Sequence, residues 1–373
     1  MTLSREIDSS DAWQVRVWTP YFTALVLTIM VVLIATASVN YFVDVQDVYG
    51  RRNEILLAYY RNYVRHLIRS ERPLTYIVHE RAMKQELARQ TQSDCYVFGS
   101  SHEMRVNIWT YPVARQLGCK DVTNLAVSAA SFEDLLVMTS LIFDKPTVKT
   151  FLIGIGPWAL RPNANSFWTE PPDVLPPARR ALGLSDETEN TLLIKMRQLV
   201  NGRYLWANLN QLYAPDLQIQ APTFRERDQA IFGSFDPDGT YNYASLRPDG
   251  VTPYSDRLAP GTPVDDGSWG IEKPFVDPGL MRELEHVLAL LKQRGIQVAI
   301  VLNPYHPYVW TCASAITCDA LRTVEPVLRD LAHRMGLPIV GSYDPNVFGF
   351  KETDFRDDAH LSRDELHRVG FTN

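Results

Sequence analysis

No charged residue occurs between Val17 and Val43, and from Tyr21 the stretch reads YFTALVLTIMVVLIATASVNYFV. As a helix rising about 1.5 Å per residue it would extend roughly 40 Å, more than a hydrocarbon core of about 30 Å. The sequence therefore predicts an N-terminal transmembrane helix over 20–43, preceded by a tail at 1–19. Trp13, Trp18 and Tyr21 on one flank, and Tyr41 and Tyr49 on the other, suit the two membrane interfaces. A cleaved signal peptide is the competing reading, because Ala35-Thr36-Ala37 resembles a cleavage site. The apolar run is, however, longer than the roughly 7–15 residues of such a segment. Arg5 and Arg16 precede the helix, whereas Arg51, Arg52, Arg61, Arg65 and Arg69 follow it. By the positive-inside rule alone the larger part would stay in the cytoplasm, a rule that weakens for long domains.

Beyond this segment the chain has ordinary globular composition. Its 37 basic and 43 acidic residues give a net charge of −6. No dense Lys/Arg run interleaved with aromatics is present, which argues against a nucleic-acid partner. Residues 44–92 read as a helical connector: Ile55, Leu56, Tyr59, Tyr63, Leu67 and Ile68 recur at helical spacing, Pro73 interrupts, and a second helix runs from His79 to Gln90. From 93 onward strands and helices alternate. Strands are expected at 94–98, 121–125, 150–155, 297–302 and 338–340, and helices at 132–143, 279–294 and 321–335. Such alternation predicts an α/β fold, a mostly parallel sheet covered on both faces in a three-layer sandwich, with ligands beyond the carboxyl ends of the strands. The alternation stops at about 161–277, a stretch rich in Pro, Asp, Gly and aromatics with one helical segment, Thr191 to Leu212. Turn signals stand at Asp236-Pro237-Asp238-Gly239 and Arg247-Pro248-Asp249-Gly250. It reads as an insertion forming a lid or partner surface over the strand ends. Of the four cysteines, Cys312 and Cys318 lie close enough for an easy bridge, with two free thiols as the alternative. Cys95 and Cys119 fall in or beside strands, and no CxxC pair suggests a metal. No metal or cofactor is expected.

Two segments carry chemistry. Ser101, in Gly99-Ser100-Ser101-His102, follows the first sheet strand at a glycine turn, so its hydroxyl should emerge at the carboxyl edge. The amides that follow it could stabilise an oxyanion. Asp357 and His360 are spaced i and i+3, so one turn can set the carboxylate against the ring. A serine hydroxyl needs such an oriented imidazole to take its proton. A Gly-Ser-Ser turn alone also occurs as a plain helix N-cap.

Four blocks together resemble the SGNH (GDSL-like) hydrolase superfamily: Gly99-Ser100-Ser101, Asn124 to Ser131, Ile153 to Trp158, and Phe355 to His360. The likeness spans roughly 95–160 and 280–365. It implies Ser101 as nucleophile, His360 as base and Asp357 as its orienting carboxylate. Ala129 stands where a glycine normally lends its amide to the oxyanion hole, and Gly156 where an asparagine completes it. The membrane anchor and the Pro-Trp third block are most similar to the branch that includes D-alanyl transfer and alginate O-acetylation proteins. That resemblance implies serine esterase or O-acyltransferase activity on acyl, chiefly O-acetyl, groups of cell-envelope glycans. It further implies a membrane-bound O-acyltransferase or polysaccharide assembly complex as partner, a cytoplasmic tail, and a single-pass inner-membrane location with the main domain periplasmic or extracellular. A catalytically silent scaffold of the same fold is the alternative.

Other residues have two readings each. His102 either touches the acyl group or acceptor or is a polar residue of a helix start. His306, after a strand, competes with His360 as base or lines the pocket. Asp358 competes with Asp357. Trp158 and Tyr305 either stack on a sugar or simply pack. His286 and His367 read as surface or capping residues.

Overall fold

The computed structural model describes residues 9–44, 48–49, 67–69, 73–161, 174–185, 191–212, 218–220, 234–235, 238–242, 271, 273–311, 315–355 and 359–372. Its helices are α1 (Ser9–Val43), α2 (Pro73–Gln90), α3 (Pro112–Gln116), α4 (Phe132–Ile142), α5 (Leu175–Ala181), α6 (Thr191–Leu199), α7 (Gly202–Leu212), α8 (Pro278–Gln293), α9 (Pro307–Trp310) and α10 (Ala315–Met335). Its strands are β1 (Leu67–Arg69), β2 (Cys95–Phe98), β3 (Val122–Asn124), β4 (Thr150–Gly154), β5 (Gln218–Gln220), β6 (Ser234–Phe235), β7 (Tyr241–Asn242), β8 (Gln297–Leu302) and β9 (Ile339–Gly341). The chain forms two compact units, 1–52 with 189–214, and 53–188 with 215–373.

The larger unit is α/β, built on a five-stranded, all-parallel sheet in the order β3-β2-β4-β8-β9. The chain enters at β2, steps to β3 on one side, then crosses to β4 on the other, which makes the carboxyl ends of β2 and β4 the topological switch point where ligands bind in such sheets. Apart from the exposed Gln297 that opens β8, the strands β2, β4 and β8 are buried throughout and rich in Val, Ile, Leu and Phe, as a parallel sheet requires. Alternate residues feed two cores. Tyr96, Phe98, Phe151, Ile153, Val298 and Ile300 meet Leu136 of α4, Leu288 of α8 and Leu328 of α10. Val97, Leu152, Ala299 and Val301 on the other side meet Val113 of α3 and, from the tail, Phe350, Phe355 and Leu366. The second face is thus covered by α3 and by 3-10 turns at Pro345–Phe348 and Arg363–Arg368. The tail closes the sheet edge: Gly341 N–H donates to Gly370 O (2.8 Å) and Thr372 N–H to Ile339 O (3.0 Å).

Several expectations are revised. Leu67 and Ile68, expected in a connector helix, lie in β1 and pair antiparallel with β5 and β6; residues 51–66 of that helix fall outside the described residues. Pro73 opens α2 rather than interrupting a helix, since a proline in the first turn loses no intrahelical bond. α2 belongs to the sheet unit: Leu87 and Ala88 join its core, and the Lys84 ammonium, fully buried, donates to Asn124 O (2.8 Å) and to Gly239 O. The bridge found between described cysteines joins Cys95 to Cys119, Cα atoms 5.6 Å apart. Cys318 is also disulfide-bonded, and Cys312 lies outside the described residues.

The smaller unit holds α1, whose Thr19–Val43 portion is long and apolar enough to cross a membrane. The helix expected at 191–212 is split into α6 and α7 at Asn201-Gly202, where Asn201 Oδ1 accepts from Tyr204 N–H (3.2 Å). These helices pack on α1 within the smaller unit. Of the expected insertion, segment 238–242 does reach the carboxyl edge: Asn124 N–H donates to Asp238 O, and Tyr241 N–H to Met104 O, both at 2.7 Å. The Arg247 to Gly250 turn lies outside the described residues.

Candidate active site

The turn that carries Ser101 begins where β2 ends. Glu103 N–H donates to Ser100 O (3.0 Å), closing a tight turn that lifts Ser101 beyond the sheet. From the tail, the antiparallel bridge Phe355↔Leu361 brackets the segment bearing His360. The two meet: His360 Nε2 lies 2.7 Å from Ser101 Oγ, across 259 positions of chain. Arg105, buried, donates to Leu361 O (3.1 Å) and so fastens the histidine segment to the segment that carries the serine. A small cleft opens over the pair, lined by Ser101, His102, Arg105, Asn303, Pro304 and His360 together with Leu361 and Leu366. The buried His102 ring is wedged with its centroid 4.7 Å from Tyr305 and 4.9 Å from His360, so it forms a wall of this cleft.

Under the turn sits Glu103, fully buried. Its Oε2 accepts from Ser100 N–H (2.7 Å) and from the Ser100 hydroxyl (3.3 Å), and its Oε1 accepts from Asn303 Nδ2 (2.8 Å). One side chain therefore ties the Ser101 turn to the loop after β8. Space for it exists because Gly99 and Gly154 end their strands without side chains: a Cβ would fall 2.2 Å from Glu103 Oε2 at the first and 2.1 Å from Glu103 Cδ at the second. Burial pushes its carboxyl up to about 7, the hydrogen bonds from Ser100 and Asn303 opposing this.

Ala129 occupies a left-handed conformation, φ 47°, which turns the loop after β3. Val127 N–H donates to Gly99 O (3.0 Å), joining this loop to the Ser101 turn. Its shape is set from behind. Ser128 N–H donates to Glu80 Oε2 (3.1 Å), Arg81 Nη2 donates to Ser128 O (3.3 Å), and Trp158 Nε1 donates to Ala130 O (3.0 Å). Arg81 is itself fixed by a bidentate pair with Asp134, at 2.6 and 2.7 Å, and Asp134 caps α4 through Ser131.

The structure thus brings Ser101, His102 and His360 together. Trp158 serves as a packing and hydrogen-bonding residue, its ring lying against Gly156, where a Cβ would meet it at 2.7 Å. Gly156 offers no side-chain donor. His306 is buried away from the cleft: its Nδ1 accepts from Tyr308 N–H (3.1 Å) as the cap of α9, and its ring packs on Phe355. It is therefore not the rival base, and helix capping explains its place after the strand. His286 contacts Leu182 O (2.9 Å), and the exposed His367 contacts Asp364 O. Asp357 and Asp358 lie outside the described residues. Glu103, Arg105, Asn303, Glu80 and Arg81 escaped the sequence reading; glycines ending two strands were the available sign that a side chain fills the space between them.

No protein-family model matches this chain, and no curated protein matches it.

Proposed function

We propose that this chain is a membrane-tethered serine acyltransferase or esterase of the SGNH type, its sheet domain a three-layer α/β/α sandwich. The reading rests on one observation above others, the 2.7 Å approach of His360 Nε2 to Ser101 Oγ at the switch point of a parallel sheet. Ser101 Oγ attacks the carbonyl carbon of an ester or thioester while its proton passes to His360 Nε2. The tetrahedral oxyanion is met by the backbone amides near Ser101 and Ala129. The leaving alcohol or thiol then takes the proton from His360, and an acyl-serine remains. In the second half, a sugar hydroxyl or water gives its proton to His360 and attacks the acyl carbonyl, and the bond to Ser101 Oγ breaks as the serine oxygen takes that proton back from His360. Asp357 is the proposed orienting carboxylate.

Acyl groups of cell-envelope glycans are the proposed substrates, with a membrane-bound acyltransferase or polysaccharide assembly complex as proposed partner. The Cys95–Cys119 disulfide favours an oxidising setting, so we place the domain outside the cytoplasmic membrane despite the arginines after α1. The absence of a donor side chain at Gly156 favours a second reading, a silent scaffold. The two are separated by labelling the full chain with a serine-directed phosphonate and by hydrolysis of a small acetyl ester. Label on Ser101 that is lost in Ser101→Ala and His360→Ala supports the enzyme. Label retained in Ser101→Ala places the nucleophile elsewhere.

A further inference from the structure

In the smaller unit, a polar knot ties the end of α1 to α6 and α7. Asn40, with no exposed surface, donates through Nδ2 to the carbonyls of Gln198 (3.0 Å), Leu199 (3.0 Å) and Asn201 (3.2 Å). The first two are carbonyls at the end of α6, which have no partner within their own helix, and the third stands at the start of α7, where it also accepts from Leu205 N–H (2.9 Å). Asn208 Nδ2 donates to Asn40 Oδ1 (3.0 Å), the Tyr204 hydroxyl to Asp44 Oδ1 (2.6 Å), and the Tyr49 hydroxyl to Lys195 O (2.8 Å). The position of this knot along α1 sets its depth. From Thr19, where the apolar span begins, to Asn40 the helix rises about 32 Å, close to the roughly 30 Å of a bilayer's hydrocarbon. The knot therefore lies at the boundary between acyl chains and headgroups.

At that level α6 presents Leu192, Leu193, Met196 and Val200, each at least half exposed. Their spacing puts them on one stripe of the helix. On α7, Trp206 is 67% exposed. In water such a face would be costly, whereas leucine, methionine and tryptophan are favoured at a bilayer interface. We infer that α6 and the Trp206 edge of α7 lie flat in the interface of the bilayer crossed by α1, a lipid-bound collar that fixes the depth and tilt of the anchor. The occupant is lipid and not a protein partner, because the hydrogen bonds from Asn40 hold this face at the depth of the headgroup boundary. The inference rests on α1 being a retained anchor and is independent of the serine chemistry.

The test uses the full chain in phosphatidylcholine–phosphatidylglycerol vesicles, with a benzophenone amino acid replacing Met196, Phe42 of the anchor, or Glu285 on α8. Irradiation should yield lipid adducts at positions 196 and 42 and none at 285. Lipid adducts at 42 without any at 196 overturn the collar, as do adducts at 196 made only to polypeptide. Absence at both positions overturns the anchor as well. In a second protein, the probe replaces Val200 beside Leu193→Glu and Met196→Glu; its lipid adduct should be lost while phosphonate labelling of Ser101 is unchanged. An adduct that survives the two charges also overturns the proposal. Labelling of Ser101 fails or succeeds separately, so the two readings fall independently.

Discussion

Glu103 shows how one side chain can govern both assembly and pH response. Its ordinary value is near 4.5, and burial lifts it to about 7 in the fold. Between these values the unfolded chain releases the proton that the native state keeps. The stability contribution of this residue is whole below about pH 4.5 and is lost as pH rises through about 7, a change of about 3 kcal/mol at 1.36 kcal/mol per unit. Glu103→Gln should flatten that part of the stability profile in denaturant titrations from pH 4 to 8; a slope equal to that of the unaltered protein would refute the assignment. Ala129 makes a different demand. A left-handed alanine costs on the order of 1 kcal/mol, so Ala129→Gly should leave the protein as stable or up to about 1 kcal/mol more so. Ala129→Val should lower both the melting temperature and ester turnover. The meeting of Ser101 and His360 was legible because a serine at a glycine turn after the first sheet strand should emerge at the carboxyl edge, where a histidine of the tail can reach it. Glu103 was not, because nothing in a lone glutamate two residues past a serine says that Gly99 and Gly154 will leave a chamber for it.

At the scale of elements, the loop carrying Ala129 takes its shape from α2 and α4. The Arg81–Asp134 pair is buried on both sides, and removing one partner strands the other charge. Asp134→Ala should therefore cost about 3–5 kcal/mol in denaturant unfolding. Gly154→Ala sets a methyl against the pinned Glu103 carboxylate and should cost about 1–3 kcal/mol or more, whereas Gly295→Ala, with open space around it, should show only the penalty of its positive φ. All five strands of the sheet, at 95–98, 122–124, 150–154, 297–302 and 339–341, were readable from short runs of β-forming residues, and α4, α8 and α10 from their periodicity. Register of short strands such as β1 is set by pairing with β5 and β6 at distant positions, so Leu67 and Ile68 carried a helical pattern that tertiary pairing overrode. The break between α6 and α7 was signalled by Asn201-Gly202; the knot on α1 that makes use of it was not.

For the whole molecule, the Cys95–Cys119 bridge closes a loop whose ends lie 24 positions apart, at the start of β2. Replacing both cysteines by serine should cost about 3 kcal/mol by the loop-entropy relation and lower the melting temperature without changing where phosphonate attaches. Cysteine spacing singled out Cys312 and Cys318, of which Cys318 is indeed disulfide-bonded, but gave no sign of the second bridge, because only the fold sets 95 against 119. The α/β class was legible from alternation, while the course of the 161–277 segment, shared between the two units, depends on contacts that no local pattern encodes. A last consequence follows from the distance along the chain between hydroxyl and imidazole. Until the tail has been laid along β9, Ser101 lacks its His360 neighbour, so on the proposed chemistry a stalled or half-folded chain would not acylate itself or its neighbours. Reactivity would then arrive together with completion of the fold, and onset of labelling during refolding would be a clock for the last step of assembly.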